Sequence, residues 1–139
     1  PFYGQGMNSG FEDCTVFHEM YNDSNADWDV LFENFSEKRI PDANAIADLA
    51  LYNYIEMRDL AGDADFLLRK KIERKFSGLY PNMWMPLYEQ VTFSHIRYSE
   101  AQAAGNKQRL IMDEVMQSPN IHEEWDEEWV MNKIYELVR

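Results

Sequence analysis

Apolar residues recur along this chain at the spacing of three or four that marks an amphipathic helix, and caps and breakers punctuate the runs. Asn8 or Ser9 can cap a first helix over about residues 9–21. Asn22-Asp-Ser-Asn25 reads as a turn, after which Asp27 caps a second helix with Trp28, Leu31, Phe32 and Phe35 on one side. Pro41 suits the first turn of a third helix, where its missing N–H costs nothing. Ile46, Leu49, Ala50, Asn53, Tyr54 and Met57 then share one side, and Gly62 suits the C-terminal cap. Asp63 or Asp65 opens a fourth helix through Phe66, Leu67, Ile72 and Phe76, which stops before Pro81. Residues 81–94, with two prolines and β-branched side chains, read as irregular or partly extended. A long helix is expected from Ser94 or His95 to Gln117, with Gly105 a soft spot. Ser118-Pro119 breaks it, and residues 121–138 form a last acidic amphipathic helix. The fold class is mainly α, with little or no strand.

Charge narrows the function. The formal net charge is −12, and residues 1–65 carry 14 acidic side chains against 3 basic ones. Such a surface repels phosphate backbones, so nucleic acid is excluded as a partner. The basic run Arg69-Lys70-Lys71 with Arg74 and Lys75 could meet a phosphorylated cofactor or a membrane face, but a solvated helix side is the commoner role. No run of about 18 apolar residues exists, so no membrane span is expected. The lone Cys14 rules out an internal disulfide and fits a reducing, cytoplasmic setting, where it is expected to pack as a small apolar residue.

Three glycines, Gly4, Gly6 and Gly10, lead into the first helix within Pro1-Phe-Tyr-Gly-Gln-Gly-Met-Asn-Ser-Gly-Phe-Glu-Asp-Cys14. Glycines let backbone approach a ligand closely, and the free N–H groups of a helix start attract negative charge. By composition alone, an ordinary turn and cap is the commoner meaning. The whole segment, however, closely resembles the flavin-contacting loop and helix of the FAD-dependent aromatic hydroxylases. The resemblance continues through Arg39-Ile-Pro-Asp42, Tyr52-Asn-Tyr-Ile-Glu-Met-Arg58, Pro86-Leu-Tyr88, Val91-Thr-Phe-Ser94 and Arg97-Tyr98. It covers residues 1–101, and the last forty residues show none.

The resemblance implies the helical C-terminal portion of a larger α/β FAD-dependent monooxygenase. Residues 1–22 would be the flavin-contacting loop and helix, 23–101 a helical substrate-pocket region, and 102–139 C-terminal helices of unassigned role. The implied cofactor is FAD and the implied co-substrate NADPH, with L-kynurenine and O2 as substrates. Backbone at Gly4, Gly6, Met7 and Asn8 would meet the flavin. Phe2 and Gln5 would face the substrate ring and its carbonyl and amino groups. Asn53, Met57 and Tyr88 would line the pocket, with Asn53 and Tyr88 at the amino-acid end. On the residues alone, Asn53 among apolar neighbours more often means a structural hydrogen bond. No residue is required as a covalent, acid, base or metal catalyst.

His18, His95 and His122 share no ligand spacing, and the acidic run near Glu123 lacks the loop glycine of a calcium hand. Trp125, Trp129, Val130 and Ile134 read as a stripe that packs against the parent domain or a partner. The chain alone is expected to be inactive, because the dinucleotide-binding region of the resembled family lies in a missing N-terminal part. A face left uncovered by that part would favour a homodimer. Two alternatives stay open: a sister aromatic hydroxylase with another substrate, and a non-enzymatic helical interaction module.

Overall fold

A computed structural model describes residues 3–23 and 27–139, and every regular element among them is helical. Gly4 turns the chain at φ +68°, in the left-handed region that glycine tolerates, and α1 (Gly6–Asp23) follows at once. Asp27 caps α2 by accepting from the Val30 N–H at 3.2 Å, as its sequence position predicts.

The expected second and third helices are one. Helix α2 runs unbroken over Trp28–Ile55 with Pro41 inside it. An interior proline removes a ladder bond and costs about 3 kcal/mol. Here its ring faces solvent while Arg39 and Asp42, on either side, are buried in a charge network that holds this stretch of helix in place.

Helix α2 ends in a π-helical turn, Glu56–Leu60. The reversal through Gly62 follows, and Asp63 caps α3 (Ala64–Leu79) by accepting from the Phe66 N–H at 2.8 Å. Residues 81–94 are more ordered than their prolines imply. Pro86 begins α4 (Leu87–Phe93), and its carbonyl accepts from the Glu89 and Gln90 N–H groups at 2.9 and 3.1 Å. Gln90 and Val91 are buried there, so packing outweighs the β preference of Val91 and Thr92.

Helix α5 (Tyr98–Met116) starts later than expected, because the Ser94 hydroxyl turns back to the Gln90 carbonyl at 2.6 Å and ends α4. The expected last helix is two: α6 (Ile121–Glu124) and α7 (Glu128–Val138). Lys75 captures the Asp126 carbonyl between them, and Trp129 Nε1 donates to Glu124 at 3.0 Å across the break.

Two apolar cores lie along α5. Ala45, Leu49, Val91, Tyr98 and Ala101 join α2, α4 and the first turns of α5. Farther along, Ile72, Phe76, Trp84, Met112, Val115 and Ile134 join α3, α5 and α7. Each such side chain contributes about 1.5–3 kcal/mol by leaving water. Val130 and Ile134 are fully buried in this second core, with Trp125 and Trp129 packed against it. The tryptophan stripe therefore serves the chain itself.

Gly105 is a contact point rather than a soft spot. A Cβ there would lie 2.7 Å from a Leu87 methyl, so α4 and α5 approach closely because the side chain is absent. The basic run on α3 is solvated at Lys70, Lys71 and Arg74, as expected, yet it also forms ties. Arg69 reaches Asp113 and the Arg109 carbonyl at 2.7 and 2.6 Å, Lys70 lies 3.8 Å from Glu56, and Lys71 and Lys75 stand over the Trp125 ring. Cys14 is exposed, not packed.

Candidate functional site

The end of α2, the π turn, α3, the start of α4 and the middle of α5 enclose a groove of about 1090 Å³. Asn53, Met57 and Tyr88 line it, although 35 residues separate Asn53 from Tyr88. The Asn53 amide lies 3.9 Å from Met57 Sδ, one turn along. Tyr88 is half exposed, and its ring stacks on Tyr3 with centroids 5.7 Å apart and planes 25° apart. The wider π turn places Glu56 on the groove wall beside Asn53 and Met57.

Tyr3, Tyr52 and Glu56 are groove residues that sequence reasoning did not single out. Burial, followed by the charge of Glu56, pushes the Tyr3 phenol up to about 12. Burial and then Glu56 raise Tyr52 in the same way. Both phenols stay protonated at neutral pH, and the Tyr52 hydroxyl is engaged with Glu56. All three residues lie inside the segments that carry the resemblance, which is the signal the sequence offers for them.

Gln5 lies elsewhere, on a second cavity of about 390 Å³ lined also by Asn8, Thr92 and Tyr98. It is buried, and its Oε1 accepts from Asn8 Nδ2 at 2.8 Å and from the Tyr98 hydroxyl at 3.5 Å. The Thr92 hydroxyl is the buried side-chain polar atom without a hydrogen-bond partner among the described residues. Gly4, Gly6, Met7 and Asn8 are exposed at the start of α1. A Cβ built on Gly4 or Gly6 would meet nothing within 4 Å, so a flat ring can approach this backbone. Phe2 lies outside the described residues.

Behind this loop sits a buried charge cluster. Arg39 binds Asp13 at 2.6 Å, Glu12 at 3.0 Å and Asp42 at 3.2 Å, joining α1 to α2. Burial works against its charge, and the bonds to Asp13 and Glu12 overcome that and raise its pKa. Asp42 has no exposed surface and also takes Arg97 at 2.9 Å and both the N–H and hydroxyl of Ser99. Burial favours its neutral form, but the Ser99 and Arg97 bonds outweigh that and lower its pKa. The segments that carry the family resemblance, Glu12-Asp13, Arg39-Ile-Pro-Asp42 and Arg97-Tyr98, thus meet in one structural knot.

No protein-family model matches the chain. Its curated relatives are consistent with one another. A kynurenine 3-monooxygenase of Christiangramia forsetii is 50% identical over 139 residues, all of this chain and 31% of that protein. The kynurenine 3-monooxygenase of Anopheles gambiae is 50% identical over 121 residues, 87% of this chain and 25% of that protein. That of Sus scrofa is 48% identical over 113 residues, 81% of this chain and 24% of that protein. The chain is therefore similar, over most or all of its length, to one part of proteins named as monooxygenases. More narrowly, it belongs to the kynurenine 3-monooxygenase family, and it spans about three tenths of the length of the relatives it matches. The likeness to the Christiangramia protein runs through residues 102–139 as well, which corrects the expectation that these resemble nothing in the family.

Proposed function

We propose that this chain supplies the substrate-facing helices of an enzyme that hydroxylates L-kynurenine to 3-hydroxykynurenine, using FAD, NADPH and O2. The observation that carries this reading is the convergence of Asn53, Met57 and Tyr88 on one groove beside Tyr3. Asn53 and Tyr88 offer directed donors to a carboxylate without adding a charge to the groove. The Tyr3 phenol, held protonated, can donate to an anion instead of repelling it.

FAD, when bound, supplies electron transfer from NADPH and the activation of O2. The loop at Gly4, Gly6, Met7 and Asn8 fits its ring edge. Open space lies over both glycines, and the first bond of the helix ladder is Ser9 N–H to the Gln5 carbonyl, which leaves the earlier N–H groups facing outward. A helix start there favours negative charge on a bound ring by about 0.3–1 kcal/mol. The rest of such a site would come from the remaining length of the relatives. The chain alone is accordingly expected to be inactive and to bind FAD weakly or not at all.

The test uses the full-length protein with FAD, following NADPH oxidation and 3-hydroxykynurenine formation. Coupled product with L-kynurenine is the expected result. NADPH oxidation coupled instead to another aromatic acid would replace the substrate. A protein that holds no flavin would end the reading.

A further inference from the structure

We infer that Arg39 is a positioning residue for the start of α1. By holding Glu12 and Asp13 against α2, it keeps the loop at Gly4, Gly6, Met7 and Asn8 favourable to negative charge on the group bound there. The inference rests on the reading of that loop as the one that meets the flavin.

Helix α1 carries two carboxylates close to its start. Glu12 stands one turn beyond Asn8, and both line the cavity of about 390 Å³; Asp13 follows directly. A helix start supplies about half a positive charge, so two full negative charges this near would outweigh it and oppose a bound anion. Arg39 sets one buried positive charge between them. Its Nε donates to Asp13 Oδ1 at 2.6 Å and its Nη2 to Glu12 Oε2 at 3.0 Å. The third nitrogen, Nη1, donates to Asp42 at 3.2 Å, and Arg97 and Ser99 anchor that carboxylate in turn. The fork is therefore fixed from α2 and α5 while it holds α1. Two arginines face three carboxylates in this knot, and without Arg39 the balance would be one against three.

Tyr98 feels this field on the wall of the same cavity. Burial raises the pKa of its phenol, Glu12 raises it further, and Arg39 acts in the opposite sense; Asp42 and Asp13 add smaller effects in the direction of Glu12. Negative charge on that wall is thus opposed by the carboxylates and favoured by Arg39. The helix start one turn away from Glu12 should feel the same two signs. A reduced flavin carries more negative charge than an oxidised one, so the field is read as a reduction potential.

The experiment measures the reduction potential of FAD bound to the full-length protein by spectroelectrochemistry, with denaturant midpoints alongside. The proteins are wild type, Glu12→Gln, Arg39→Gln, Arg39→Lys and Glu136→Gln. Glu12→Gln, whose amide oxygen can still accept from Arg39, should shift the potential upward, with several-fold more flavin reduced at a fixed applied potential. Arg39→Gln should shift it downward. Arg39→Lys keeps the charge but loses the fork, and should fall between wild type and Arg39→Gln. Glu136→Gln, exposed on α7, should leave the potential unchanged. A merely structural role would lower the midpoint without making the sign of the potential shift follow the sign of the charge removed. An unmoved potential in Glu12→Gln, shifts of one sign in Glu12→Gln and Arg39→Gln, or an equal shift in Glu136→Gln would overturn the inference. If Arg39→Gln does not fold, Glu12→Gln against Glu136→Gln decides alone. Any of these failures in a wild type that holds FAD overturns this inference only. A wild type that holds no FAD removes the flavin reading of the loop and this inference with it.

Discussion

Asp42, wholly buried on α2, accepts the Ser99 hydroxyl at 2.6 Å from a residue 57 positions further along the chain. The same carboxylate binds Arg39 and Arg97, so one residue ties α2 to α5 and, through Arg39, to α1. Removing one partner of a buried ion pair leaves the others desolvated and uncompensated, at a cost of about 3–5 kcal/mol. Asp42→Ala should therefore lower the denaturant midpoint of the protein by an amount that corresponds to that loss. Asp59→Ala, which breaks the exposed contact with Arg58, should leave the midpoint where it was. Equal effects of the two substitutions would contradict the structural role given to Asp42.

The same carboxylate predicts an acid sensitivity. Its folded pKa lies below the unfolded value of about 4. A depressed carboxylate contributes stability that is fully present above the unfolded pKa and is lost as pH falls through the folded one. Unfolding free energy measured from pH 6 downward should therefore fall below about pH 4. In Asp42→Asn that part of the slope should vanish. A variant with the wild-type acid slope would assign the sensitivity to other groups.

Gly105 sets a competition between helix propensity and packing. Alanine gains up to about 1 kcal/mol over glycine inside a helix. Its Cβ, however, would stand 2.7 and 2.9 Å from the two Leu87 methyls and 3.2 Å from Leu87 Cγ, so no rotation of one methyl relieves it. Overpacking of this kind costs about 1–3 kcal/mol. Gly105→Ala should be destabilising on thermal unfolding. Adding Leu87→Ala should make the Gly105→Ala change favourable, and a Gly105→Ala protein more stable than wild type would reject the contact.

What could be read from the residues was mostly local. The caps Asp27 and Asp63 act on N–H groups three residues away, and both appear where the sequence places them. Pro41 misleads because the cost of an interior proline is offset by the Arg39 and Asp42 bonds, which reach side chains 26 and 57 residues distant. The break between α6 and α7 depends on Lys75, 51 residues upstream of the carbonyl it captures. Asn53, Met57 and Tyr88 were named from motifs, and their meeting in one groove depends on how α4 packs. No periodicity shows that Gln5 faces a different cavity from Asn53.

The most direct test of the groove is L-kynurenine affinity in the full-length protein for wild type, Asn53→Ala and Tyr88→Phe, with FAD content measured alongside. The account predicts that each variant keeps its flavin and loses about 0.5–1.5 kcal/mol of kynurenine binding, more where a charged partner is left unsatisfied. Wild-type kynurenine affinity in both variants would contradict it.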